Sequence, residues 1–209
     1  HRVSTGCPNT IGLTEQTSHL FRGVSEADGL NNLGAIFEHS PSSPEQYYDS
    51  SRPVRVVDYF VSHNWVMPRW SKFLILAVSL NLRVAMLFTS FLTAIVSVLV
   101  ATDQLPTIML QDFERPFRGS LWCQLCGVPA FIFIVVFKQQ VLKACGLKGK
   151  SLFIDKACIH QTDTSLKEMG IRHLAAFLYY STQMVVCYSE SYLRKLWTVY
   201  EVAVFLTLH

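Results

Sequence analysis

Residues 56–70 read VVDYFVSHNWVMPRW. The apolar run from Val56 to Val61 stops at Ser62-His63-Asn64, the pattern of a strand buried on both faces that ends in a polar turn. Three residues past Trp70 the chain enters FLILAVSLNLRVAMLFTSFLTAIVSVLVA, Phe73 to Ala101. Val84–Ala101 is 18 residues without a charge, and Phe73–Leu82 extends it upstream of Arg83. About 20 apolar residues cross a bilayer core, so a strand of soluble character runs directly into a membrane segment. A second uncharged run, the 17 residues Leu121–Phe137, holds Pro129 as an expected kink, and the polar stretch TDQLPTIMLQDFERPFRGS joins the two. The expectation is a transmembrane hairpin within residues 70–148, with spans at about 73–101 and 121–137.

The outer flanks carry Arg69, Lys72, Arg83, Lys138, Lys143, Lys148 and Lys150, whereas the connector has Arg115 and Arg118 against three acids. Positive charge marks the side that is not translocated, which places both flanks on one positive side, cytoplasmic, stromal or matrix. An organelle membrane such as a thylakoid fits that orientation. Beyond Lys150 short apolar runs alternate with helical periodicity. SLFID ends at Asp155, Thr164 is positioned to cap SLKEMGIRHLAAFLYYS, QMVVCYS reads as a further strand, and SYLRKLWTVYEVAVFLTLH as a further helix. With Val56–Val61 this predicts an α/β fold: a short parallel three-stranded, flavodoxin-like sheet with helices, interrupted by the hairpin at its first crossover. Residues 53–69 hold its first strand and 149–209 its remainder.

Composition agrees with a mixed chain. Of 209 residues, 50% are hydrophobic and 16% charged, with a mean hydropathy of +0.28. A net charge of +3 without a basic, aromatic-interleaved block gives no basis for nucleic acid as a partner. Residues 1–52 differ in kind. They hold five of the ten glycines, six acids against three arginines, and the aperiodic EHSPSSPEQYYDSSRP. Such a segment buries too little to hold itself still, so it is expected to be an extended polar arm lying on other chains. The start at His1 and the end at His209 inside an apolar pattern imply a processed or partial chain.

In open parallel sheets, ligands sit beyond the carboxyl ends of the strands, where strand order reverses. The residues there are Ser62 and His63, Asp155 and Lys156, and Tyr188 and Ser189, as ligand-binding candidates or ordinary strand ends. Ser62, His63 and Asp155 have hydrolase-triad types, but adjacent residues on a strand point to opposite faces. Cys123-x-x-Cys126 and Cys158-x-His160 lack a second ligand pair, so no metal site is expected. Asn81, Gln124 and Gln139 are intramembrane amides suited to helix packing or to a bound pigment.

At the strand ends the chain resembles the Toll/interleukin-1 receptor (TIR) family, in the membrane-anchored form found in microalgae and protists. VDYFVSHNW is similar to the family's first strand and LFIDKACIHQTD to its second strand and following loop. MVVCYSESYLRKLWTVYEVAVF resembles the third strand and the next helix, with Ser191, Tyr192, Leu193, Trp197 and Glu201 in order at the family's spacing. The resemblance covers about a third of the chain. It implies two kinds of work, assembly with other TIR domains or hydrolysis of NAD. In a hydrolase Glu201 would be the catalytic carboxylate, beside an open pocket near Ser62 and Tyr188, with Trp197 packed beneath its helix. Thr198 replaces the family's usual Cys, and a membrane hairpin replaces the first crossover. Only eight residues follow Glu201, and a three-stranded sheet offers little wall for a nucleotide. The leading expectation is therefore a structural, accessory or scaffolding subunit of a larger membrane complex, photosynthetic or respiratory. Its partners are other subunits and membrane lipid; it needs no cofactor beyond a bound lipid or pigment, and Glu201 pairs with a neighbour such as Arg194, or faces solvent or a partner chain. The alternative is a membrane-tethered TIR-type signalling module or NAD hydrolase, with NAD as its ligand.

Overall fold

The computed structural model describes residues 20–38, 44–111, 116–147 and 149–209. In chain order these form β1 (Arg22–Ser25), α1 (Glu26–Gly29), α2 (Asn31–Gly34), a 3-10 turn at Ala35–Phe37, α3 (Pro44–Ser50), β2 (Arg52–Pro53), β3 (Val57–His63) and α4 (Arg69–Ala101). There follow β4 (Ile108–Gln111), β5 (Pro116–Gly119), α5 (Trp122–Ala144), β6 (Ser151–Phe153) and α6 (Asp155–Cys158). The chain closes with α7 (Thr164–Arg172), α8 (Leu174–Tyr179), β7 (Ser181–Cys187), a 3-10 turn at Tyr192–Arg194 and α9 (Leu196–Leu208).

The main sheet has five strands in the order β2-β1-β6-β3-β7, not the three expected from sequence. Its centre is the expected parallel trio: Tyr59 pairs with Leu152 on one side of β3, and Val57 to His63 run alongside Ser181 to Cys187 on the other. The two added strands are antiparallel, Val24 pairing with Leu152 and Gly23 with Arg52. β1 and the first residue of β2 come from the segment read as an extended arm. The described part of that segment is built into the sheet, and Phe21, Val24, Leu30, Ile36 and Phe37 are buried. Short range explains why this escaped the sequence: β1 is four residues and β2 two, too few for a period to register. Residues 1–19 and 39–43 of the segment lie outside the described residues.

Aromatic packing holds this half together. Phe60 stacks on Phe153 at 4.7 Å between ring centroids, Phe153 meets Phe177 at 4.3 Å, and Phe177 stacks on Phe21 at 4.7 Å. Asp163, not Thr164, caps α7, its carboxylate accepting from the Leu166 amide at 3.0 Å. A left-handed turn at Asn32, Leu33 and Gly34 (φ 46°, 56° and 74°) is tied to the start of α4 by Arg69, whose Nη2 donates to the Asn32 carbonyl at 2.6 Å. Glycine is required at its end, where a Cβ would stand 3.0 Å from that of Phe73.

The chain divides into two units, one running to Leu76 and resuming at Leu142, the other Ala77–Val141. The second contains most of α4 and α5, both long and apolar enough to cross a membrane. Only 11% and 17% of their most apolar 18-residue windows are buried. Leu87, Phe91 and Val98 on α4 and Leu125 on α5 are each more than 60% exposed. Between the helices, Gln139 Nε2 donates to Asn81 Oδ1 at 2.7 Å, and Asn81 Nδ2 to the Val135 carbonyl at 2.7 Å. Two of the amides noted in the sequence thus pack helix on helix. The polar connector is a β-hairpin, with Ile108 opposite Gly119 and Gln111 opposite Pro116.

Candidate functional site

The pleat of β3 sends Ser62 and His63 to opposite faces, and this separates the predicted site residues into two groups. His63 turns to the carboxyl edge of the sheet, where a cleft of about 400 Å³ opens. Strand ends contribute His63, Asn64, Trp65 and Asp155, and the helical side contributes Lys167, Lys195, Trp197 and Thr198. His63 Nε2 lies 3.8 Å from Asp155 Oδ1. Burial drives the His63 pKa below its ordinary 6.5 despite that carboxylate, so the imidazole is neutral at pH 7. Phe37 meets the imidazole edge-on at 5.5 Å. Asn64 fixes the strand-to-helix loop, donating to Ser191 Oγ at 2.8 Å and accepting from the Val66 amide at 3.1 Å.

Lys156 is next to Asp155 in sequence but does not line the cleft. It is buried, donates to the Glu38 carbonyl, and has its ammonium 5.7 Å from the Tyr47 ring centroid. Burial pulls its pKa down. Tyr188 is 61% exposed and Ser189 partly buried, and neither borders the cleft.

Ser62 turns the other way, into a buried cluster beneath α9. Its hydroxyl donates to Glu201 Oε2 and lies 2.5 Å from the Tyr192 hydroxyl. The indole of Trp197, one turn earlier on the helix, also bonds the Glu201 carboxyl. Glu201 is 3% exposed. It neither faces solvent nor pairs with Arg194, as the structural expectation had it, and it does not border the open cleft as the hydrolase expectation had it. Burial pushes its pKa from 4.5 to about 8, outweighing the stabilising bonds from Ser62 and Trp197. At neutral pH the carboxyl is protonated.

The cause is legible in α9. Trp197, Val204, Phe205 and Leu208 pack against the core cluster, and position 201 falls on the same stripe, one turn from 197 and from 204–205. That spacing was available in the sequence. Tyr192, Asn64, Trp65, Lys167 and Lys195 were not singled out there as site residues. Tyr192 carried the clearest signal, as one of the five residues at the TIR family's spacing, while Asn64, Trp65 and Lys195 lay within the TIR-like strings without being singled out. Thr198, at the family's Cys position, donates to the carbonyls of Tyr192 and Lys195 and so closes the 3-10 turn onto the helix.

As chemistry, the cleft offers two lysines, two indoles, a neutral imidazole and Asp155, the carboxylate that lines it. Among the described residues no three His, Cys, Asp or Glu side chains converge as a metal site. Comparisons with protein-family models, with curated proteins and with solved structures gave no match.

Proposed function

We propose that this chain is a membrane-anchored accessory or scaffolding module whose TIR-like half does not hydrolyse NAD. The observation that carries the reading is Glu201. A carboxyl meant to hold ribose hydroxyls and to stabilise developing positive charge must be ionised and reachable. This one is neutral, capped by Ser62 and Trp197, and 3% exposed. Purified protein incubated with NAD should release no nicotinamide, and Glu201→Gln should be indistinguishable from wild type. Release that the substitution abolishes would overturn the reading.

The anchor rests on the two exposed apolar helices. At 1.5 Å per residue, the part of α5 within the second unit, Trp122–Val141, is about 30 Å long, matching a bilayer core. Trp70 and Trp122 stand at the first turns of α4 and α5, where aromatic side chains favour the membrane interface. In sealed vesicles, a cysteine placed at Thr107 should be labelled from the side opposite to one at Ser165, in a background lacking the exposed Cys145. Labelling of both from one side would remove the hairpin topology. The accessory role draws no support from residues 20–38 and 44–52, since these pack on the chain's own sheet.

The cleft favours a second reading, a membrane-tethered signalling module that binds a nucleotide such as NAD without cleaving it. Trp65 and Trp197 supply ring faces for a base, and Lys167 and Lys195 supply charge for phosphates. Saturable quenching of tryptophan fluorescence by NAD, absent in Lys195→Gln, would favour this reading over the accessory one.

A further inference from the structure

We infer that one face of the hairpin unit is the interface between two copies of this chain within the bilayer; the inference rests on the membrane reading above. The face is built where α4 and α5 meet. A Cβ at Gly127 would stand 2.9 Å from the Thr93 side chain, so glycine is what lets the two helices touch there. Beside that contact lies an open groove of about 350 Å³, lined by Thr89 on α4 and by Cys123, Gln124, Val128 and Phe131 on α5. Positions 124, 128 and 131 follow i, i+4, i+7 spacing and form one stripe along α5. A groove between two helices, with glycine at its floor, lets a further helix approach closely.

Hydrogen bonding identifies the occupant. Among the described residues the Gln124 carboxamide, exposed on this stripe, has no hydrogen-bond partner, and neither has the buried Thr89 hydroxyl. The neighbouring hydroxyls are satisfied: Thr93 donates to the Thr89 carbonyl at 2.9 Å and Ser97 to the Thr93 carbonyl at 2.8 Å. Lipid tails offer an amide nothing, whereas a carboxamide is its own complement, with N–H groups to donate and a C=O to accept. Copies of one chain insert with the same topology, so a twofold axis along the membrane normal brings Gln124 to Gln124 at equal depth. The two amides then exchange hydrogen bonds, and Val128 and Phe131 pack one and two turns deeper. An acyl chain in the groove would leave both polar groups unpaired. No described residue lining the groove is charged. Lys138, two turns beyond Phe131, stands near the positive-side end of α5, from which its side chain reaches the headgroups.

Sedimentation equilibrium of the full chain in a density-matched detergent tests this. The wild-type chain should show a reversible monomer–dimer equilibrium. Gln124→Leu, a substitution that suits a membrane helix, should weaken dimerisation about tenfold. Gln124→Asn keeps a self-complementary amide and should stay within about threefold of wild type. Leu125→Ala, exposed on α5 but outside the groove, should match wild type. A monomer at every concentration, the result expected if the groove takes lipid or the helix of a different protein, would overturn the inference. So would a dimer indifferent to Gln124→Leu, or equal weakening by Gln124→Asn or Leu125→Ala. Resistance to alkaline carbonate extraction, measured on the same proteins, reads the anchor separately. A wild-type chain that is extracted removes the membrane reading and this interface with it.

Discussion

Between pH 6.5 and 8 the melting temperature of the α/β half should fall as pH rises, and in Glu201→Gln it should not. The Glu201 carboxyl has its folded pKa raised to about 8 from 4.5, chiefly by burial. Below pH 4.5 folded and unfolded chains both hold the proton, and its contribution to stability is fully present. Between 4.5 and about 8 the folded chain keeps a proton that the unfolded chain releases, so stability declines with pH and levels off above 8. Over the whole window the loss is on the order of 3–5 kcal/mol. Gln keeps an acceptor for Ser62 and has no proton to lose, so the variant should equal wild type near pH 5 and exceed it at pH 8. His63 acts in the opposite sense, because its lowered pKa costs stability only as pH falls below 6.5. The buried thiols of Cys158 and Cys187, pushed up to about 12 and 11 from 9.0, enter only near pH 9 and above. Lys72 and Lys156, whose burial lowers their pKa from 10.5, act in the same sense as His63, so the difference between wild type and Glu201→Gln from pH 6.5 to 8 is what isolates Glu201. A difference that is flat there would mean the carboxyl is ionised, and the argument against hydrolysis would lose its foundation.

Phe153→Ala should lower the melting temperature of the same half by on the order of 10 °C. Phe153 is fully buried on the central sheet and touches two rings, Phe60 on β3 and Phe177 on α8. Truncating a phenylalanine at such a position costs about 3–5 kcal/mol, part in lost transfer free energy and part in the cavity left behind. For a chain of this size each kcal/mol moves the midpoint by roughly 2–4 °C. Phe91→Ala is the matched control. Phe91 lies in the hairpin unit, is 67% exposed, and should leave the transition of the α/β half in place. A shift below about 3 °C for Phe153→Ala would mean that the aromatic column is not the centre of the core.

The parts of this protein that sequence determined are those whose signal is long or repeated. The two apolar helices were legible because hydropathy over about 20 residues needs no partner to be recognised. β3 and β7 were legible as apolar runs closed by polar turns, and their pairing needed only the rule that parallel strands are joined by crossovers. β1 and β2 were not, because strands this short are selected by the open edge of β6 rather than by their own pattern. The site divides in the same way. Sequence placed Ser62, His63 and Asp155 together at strand ends, and the pleat of β3 then set His63 and Ser62 on opposite faces. What tertiary structure alone decided is the state of Glu201. Its stripe on α9 is readable from spacing, but the charge of a carboxyl depends on what surrounds it. Here β3 supplies Ser62, the 3-10 turn supplies Tyr192, and the core excludes the water that would keep Glu201 ionised.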